Sequence, residues 1–142
     1  MSSNNNLEKE EIKKFFKIFI DEKGLINLVC YKMGKKAREN TLMIELIRDN
    51  LFEIFNQNPE KKFKIITDMT PLGKIKSGGL SPQTRKISTE IIRHPNLEKG
   101  ALVTPSVFIK TIINLIIILV GRSNSIKVFS EKEKALKWLL EE

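Results

Sequence analysis

The chain has 142 residues, 41% of them apolar and 30% charged. That suffices for one domain around one core and is too rich in Ile, Leu and Phe for a disordered chain. The net charge of +8 is uneven, because residues 61–99 hold nine Lys and Arg against three Asp and Glu, which is +6 of the total. Such a segment either attracts phosphates, anionic lipid or nucleic acid, or is an ordinary solvated lysine-rich surface.

The single cysteine, Cys30, allows no internal disulfide. Met1 to Asn6 is polar and Leu7 to Lys14 highly charged, without the basic-then-apolar order of a secretory signal. The expected compartment is therefore the cytoplasm. Residues 1–11 are expected to form a flexible N-terminal segment and residues 12–142 one domain.

Phe15 to Ile20 alternates loosely, and the turn cluster Asp21-Glu22-Lys23-Gly24 separates it from the apolar run Leu25 to Tyr31, so a β-hairpin is predicted. Ile12, Phe15, Phe16 and Phe19 also fit helical spacing. Strand is preferred for 14–20, and 7–13 stays open. Asn40 or Thr41 is the predicted cap of a helix with Met43, Ile44, Ile47, Leu51, Ile54 and Phe55 on one stripe, ending near Asn58-Pro59.

Lys62 to Met69 reads as a strand, and Thr70 to Leu80 as a loop with three glycines. Ser81-Pro82 opens the next helix, which closes at His94 before Pro95. Gly100 to Thr104 is a short apolar strand, and Thr104-Pro105 starts a helix running to Gly121 at its C′ position. Ile126 to Phe129 is the last strand. Ser130 and Glu133 have the spacing of a capping box for a final helix through Trp138. The predicted fold class is α/β: a mixed, mostly parallel sheet of about five strands, built from an N-terminal β-hairpin and three βα units, with four helices.

Several of these segments together resemble the SpoIIAA-like group of the STAS superfamily. They are the strand ending in Asp68, the Ser81-Pro82 helix closing on His94-Pro95, the strand Ala101-Leu102-Val103, and Val128-Phe129 followed by Ala135-Leu136 and Trp138-Leu139. The resemblance covers roughly residues 12–140. It implies a non-enzymatic fold used for protein–protein switching or, in Sec14-like relatives, for apolar ligands and membranes. Antagonist members of that superfamily carry a phosphorylatable serine in an Asp-Ser pair, whereas this chain has Asp68-Met69-Thr70. Ser77 and Ser81 are the nearest candidates for such a role.

The residues themselves point the same way. One His and one Cys fall short of the roughly four N/S ligands of a structural zinc site, so no metal and no cofactor is expected. His94 sits at a helix end, where a cation suits the dipole, and a structural role is expected of it. Cys30 lies within an apolar strand and reads as a buried, inert thiol, and Trp138 reads as a core anchor. An enzymatic reading rests on Asp68 alone, at the end of a parallel strand with no second catalytic group.

Lys74-Ile75-Lys76-Ser77-Gly78-Gly79 leads into the Ser81 helix start, with Arg85 nearby. Asp68, Lys74, Lys76, Ser77, Gly78, Gly79, Ser81 and Arg85 are the candidate partner- or anion-binding set, because glycines free the backbone and a helix N-terminus offers unpaired N–H groups. Phosphorylation there would add about two negative charges to a helix start ringed with lysine.

In the 104–121 helix, Ser106, Lys110 and Asn114 form a wet stripe, but from Leu115 to Val120 every side chain is apolar. The helix is roughly 24 Å long, too short to span a bilayer. A helix end apolar all round needs cover beyond the sheet it packs on. Phe108, Ile112, Leu115, Ile116 and Leu119 are therefore the candidate apolar interface or ligand residues. The expected partner is a protein, with a homodimer through this helix as one form. A lipid or anionic membrane surface is the alternative, and nucleic acid is not expected.

Overall fold

The computed structural model describes residues 8–75 and 80–141. Residues 8–12 form helix α1, which passes through a 3₁₀ turn at Lys13–Phe15 into strand β1, Phe16–Ile20. The two periodicities in this stretch are thus both real, with helix up to Ile12 and strand from Phe16. Ile12, only 1% exposed, and Phe16 both enter the main core, which explains an ordered turn within a charged run. The domain expectation of 1–11 as a separate segment falls partly on residues 1–7, outside the described residues.

The β1–β2 turn is organised by Asp21. Its carboxylate accepts from the Lys23 and Leu25 amides at 2.9 and 3.1 Å and from the Asn27 side-chain amide at 3.1 Å. Burial alone would raise its pKa, but these bonds and the Lys23 charge hold it below the ordinary value. Gly24 takes φ +79°, the left-handed conformation that closes the turn. Strand β2, Ile26–Cys30, then pairs antiparallel with β1, placing Phe16 opposite Cys30.

Three βα units follow. Helix α2 is Ala37–Gln57, β3 is Phe63–Asp68, α3 is Pro82–Arg93, β4 is Leu97–Val103, α4 is Val107–Leu119, β5 is Ile126–Phe129 and α5 is Lys132–Leu140. The sheet runs β1-β2-β3-β4-β5, antiparallel at β1 and parallel elsewhere. Strands laid down in chain order by right-handed crossovers put α2, α3 and α4 on one face. The packing agrees. Leu28, Ile65 and Ile126 bury against Ile47, Ile92 and Ile113 on that face, while Ile66, Ala101 and Val103 bury against Ala135 and Leu139 of α5 on the other. Ile65 and Ile66 are chain neighbours in different cores, as the two-residue strand period requires.

The fold class is the one expected, with five helices rather than four because α1 is added. Other boundaries shift for local reasons. Helix α2 begins before Asn40, since the Glu39 carboxylate accepts from the Lys36 amide at 2.9 Å. Asn40 instead clamps Gly34, accepting from its amide and donating to its carbonyl. Helix α4 begins after Ser106, not at Thr104-Pro105, because Ser106 Oγ accepts from Ile109 N while Thr104 Oγ1 accepts from Ser106 N. Helix α5 starts at Lys132 with no side-chain cap, so the Ser130–Glu133 box does not form.

Arg122 ties two elements together. Its guanidinium donates to the carbonyls of Ile92 and His94 at 3.2 Å each, and also to Leu97 and Glu98. It thereby adds a donor to carbonyls at the end of α3 and fixes them to the start of β4.

Candidate functional site

Helix α4 is capped at both ends. Ser106 Oγ also donates to the Ile75 carbonyl, so the cap anchors the preceding loop. At the other end Gly121, at φ +73°, donates to Ile118 O and Arg122 N donates to Ile117 O, both at 3.0 Å, which is a Schellman closure. The helix is therefore fixed in rotation, and its apolar side chains divide between two environments.

The inner face carries Ile109, Ile113, Ile116 and Ile117, all buried in the main core. The outer face carries Val107, Leu115, Ile118 and Leu119, of which the last three are 56, 64 and 73% exposed. Of the five residues predicted for an apolar surface, Ile116 is buried, Phe108 and Ile112 are half-buried on the flanks, and only Leu115 and Leu119 stand outside. The structure does not bring the five together. Val107 and Ile118, which complete the outer ridge, were legible in the 107–111–115–118 spacing but were not singled out. Among the described residues no other helix covers this ridge, although Ile113, Ile116 and Ile117 on the other side of α4 are buried.

Beneath the helical layer lies an apolar cavity in two lobes of about 120 Å³ each. Leu28, Ile44, Ile47, Thr67, Leu102 and Ile113 line both. One lobe extends toward Gly100 and Ile126, the other toward Cys30, Met69 and Leu80. The polar groups at its walls are few. Ser88 Oγ already donates to Thr84 O at 3.0 Å, and the Cys30 thiol is pushed up to about 12, first by burial and then by the Asp68 charge. Cys30 is the inert thiol expected.

The predicted anion set is also divided. Lys76, Ser77, Gly78 and Gly79 lie outside the described residues. Lys74 and Arg85 are exposed. Ser81 caps α3, accepting from Thr84 N at 3.2 Å within hydroxyl distance of Thr41. Asp68 belongs to the opposite face. Its carboxylate accepts from the Thr70 amide and hydroxyl at 2.9 and 2.6 Å and lies 3.6 Å from Lys132 Nζ at the start of α5. Strand alternation turns Thr67 toward the cavity and Asp68 away from it, so Asp68 and Ser81 do not share a site.

His94 sits at the end of α3 as a packed, hydrogen-bonded ring. Its Nδ1 accepts from the Asn96 amide at 3.1 Å, and its ring lies 4.5 and 4.7 Å from Phe55 and Phe52. Burial lowers its pKa first and the Lys62 charge adds to that, so the neutral form is held as a wedge between the aromatics. Trp138 is half-buried, 5.7 Å from the Phe129 ring with the Lys99 and Lys127 ammoniums over it. The deep anchors of that face are Ala135 and Leu139. Among the described residues no helix is long and apolar enough to cross a membrane.

A family model for SpoIIAA-like proteins matches residues 7–140. Comparison with curated proteins and with solved structures gave no match. The family is in general one of non-catalytic modules that serve regulatory protein interactions. The hairpin, the parallel strands in chain order and the lone α5 on the second face agree with its match over nearly the whole chain, and the protein belongs to the SpoIIAA-like family.

Proposed function

We propose that this protein is a non-catalytic binding module that holds a small apolar ligand between its helical layer and its sheet. The observation that carries the reading is the two-lobed cavity against Ile113, with nearly all-apolar walls drawn from α2, α3, α4 and four strands. A dry apolar cavity of about 150 Å³ accepts a benzene-sized guest. Two adjoining lobes of about 120 Å³ each suit a slightly larger one, still below an ordinary drug-sized pocket of about 300 Å³ or more. The ligand class is accordingly a short aliphatic chain or a single ring. Native mass spectrometry of protein purified from cells tests this directly. A retained mass that leaves on denaturation supports it, and a bare chain that also fails to take up added short-chain fatty acid refutes it.

A second reading concerns the outer ridge of α4. Leu115, Ile118 and Leu119 would each gain about 1.5–3 kcal/mol on full burial, a strong incentive for a covering surface. A protein partner, with a second copy of this chain as its simplest form, docks there in this reading. Light scattering of the wild type against Leu115→Glu and Leu119→Glu separates the cases. A dimer that the substitutions dissociate supports self-association through α4, and a monomer at every concentration removes it.

A further inference from the structure

The basic segment of residues 61–99 does not form one surface. Lys74 and Arg85 lie beyond the C-terminal end of β3, whereas Lys61, Lys62 and Lys64 lie at its beginning, about 20 Å away along a six-residue strand. At that beginning a second cavity of about 230 Å³ opens, and two stretches of chain bring lysines to it. Lys23 comes from the hairpin turn, Lys61 and Lys62 from the connection before β3, and Lys64 from the strand itself.

The charges there are poorly compensated. Glu98 is the one carboxylate in the wall, and it approaches Lys64 only to 4.0 Å. Asp21, next to the turn, carries three hydrogen bonds of its own and feels the Lys23 charge without coming within salt-bridge distance of it. Lys62 Nζ spends one donor on Pro95 O at 2.7 Å, and the Lys61 ammonium stands over the Phe63 ring at 5.0 Å. Lys23, Lys61 and Lys62 have no carboxylate partner within salt-bridge distance among the described residues.

The strand register adds a further repulsion, because Lys64 is the direct cross-strand partner of Lys99. Like charges so placed destabilise a sheet. Lys99 turns away to donate to the Trp138 and Glu141 carbonyls at 3.4 Å each, leaving Lys64 to the cavity. Gly24 lines the mouth at φ +79°, a conformation in which a side chain would be strained, and Lys61 Nζ lies in ordinary contact range, 3.9 Å, of where a Cβ would stand. Leu25 and Leu140 supply an apolar wall.

We infer that this cavity is a binding site for a phosphate-bearing anion, independent of the apolar cavity and at the opposite end of the sheet from the Ser81 helix start. Ammoniums that converge from the hairpin turn and from the Lys61–Lys64 stretch on one opening, with a single carboxylate 4.0 Å from Lys64, fit a dianion better than they fit one another. Lys61 and Lys64 are the principal contacts, with Lys23 closing the turn side.

The test is amide NMR of the full chain titrated with inorganic phosphate and, separately, with phosphatidylcholine vesicles containing a phosphatidylinositol phosphate. Saturable shifts at Lys23 to Leu25 and Lys61 to Lys64 with inorganic phosphate support the site and identify a soluble phosphate as its ligand. The same shifts with the vesicles alone support it and identify a lipid headgroup. Lys61→Gln with Lys64→Gln is expected to weaken the response about tenfold or more, as the loss of two charge-assisted contacts implies, while Lys74→Gln leaves it unchanged. Absence of saturation in both titrations, or equal shifts around Lys74 and Arg85, overturns the proposal.

Discussion

Ile113 and Leu115 stand two residues apart on α4 and lie in opposite media: Ile113, 8% exposed, forms part of the cavity wall, and Leu115, 56% exposed, faces outward. The half-turn between them is what lets one short helix serve an interior site and an exterior surface. Truncation should separate the two. Ile113→Ala is expected to lose about 2–5 kcal/mol of stability, and Leu115→Ala about 0.5 kcal/mol or less. Urea denaturation midpoints of the two variants measure the difference. Equal losses would mean that the outer ridge is covered.

Gly100 lines one lobe of the cavity from the middle of β4 and pairs with Ile126 across the sheet. A Cβ at this position would meet the Ile126 side chain at 3.6 Å, ordinary contact, and its φ is not positive. Gly100→Ala is therefore expected to stabilise the fold by about 0.4–1 kcal/mol, chiefly by restricting the unfolded chain. The added methyl also narrows the lobe, so affinity for an apolar probe should fall as stability rises. Thermal unfolding with and without the probe checks both halves.

His94 makes stability depend on pH. Its folded-state pKa lies below the ordinary 6.5, so between the two values the unfolded chain binds a proton that the folded chain refuses. Stability contributed by the neutral ring is fully present above about pH 6.5 and is lost as pH falls through the lower folded-state value. His94→Gln keeps an acceptor near Asn96 N and should flatten that decline. Urea midpoints across this range, compared between wild type and variant, decide it.

Arg122 serves four carbonyls with one planar fork, which a lysine cannot reproduce. Arg122→Ala is expected to destabilise by about 1.5–3 kcal/mol and Arg122→Lys to recover only part of that. Hydrogen exchange should show the loss first at the end of α3 and the start of β4.

The sequence made the scaffold readable wherever local chemistry settles the outcome. The apolar runs of β2, β3 and β5 and the Ser81-Pro82 start of α3 fall where periodicity and capping place them. Gly121 likewise closes α4 as expected. What stayed hidden depends on partners distant in the chain. Asn40 looked like a cap because its loyalty to Gly34 is a tertiary contact. The cavity joins Ile44, Ser88, Leu102 and Ile113 from four elements, and no spacing within one of them announces it. Asp68 and Ser81 seemed neighbours in sequence logic until strand alternation put the carboxylate on the α5 side.

The most direct measurement is methyl NMR of the full chain titrated with a short-chain fatty acid. Saturable shifts at the methyls of Ile44, Leu102 and Ile113, abolished by a cavity-filling Leu102→Trp, are the predicted result. Shifts confined to Leu115, Ile118 and Leu119, with the inner methyls unmoved, would contradict an interior apolar site and leave α4 an outer docking surface alone.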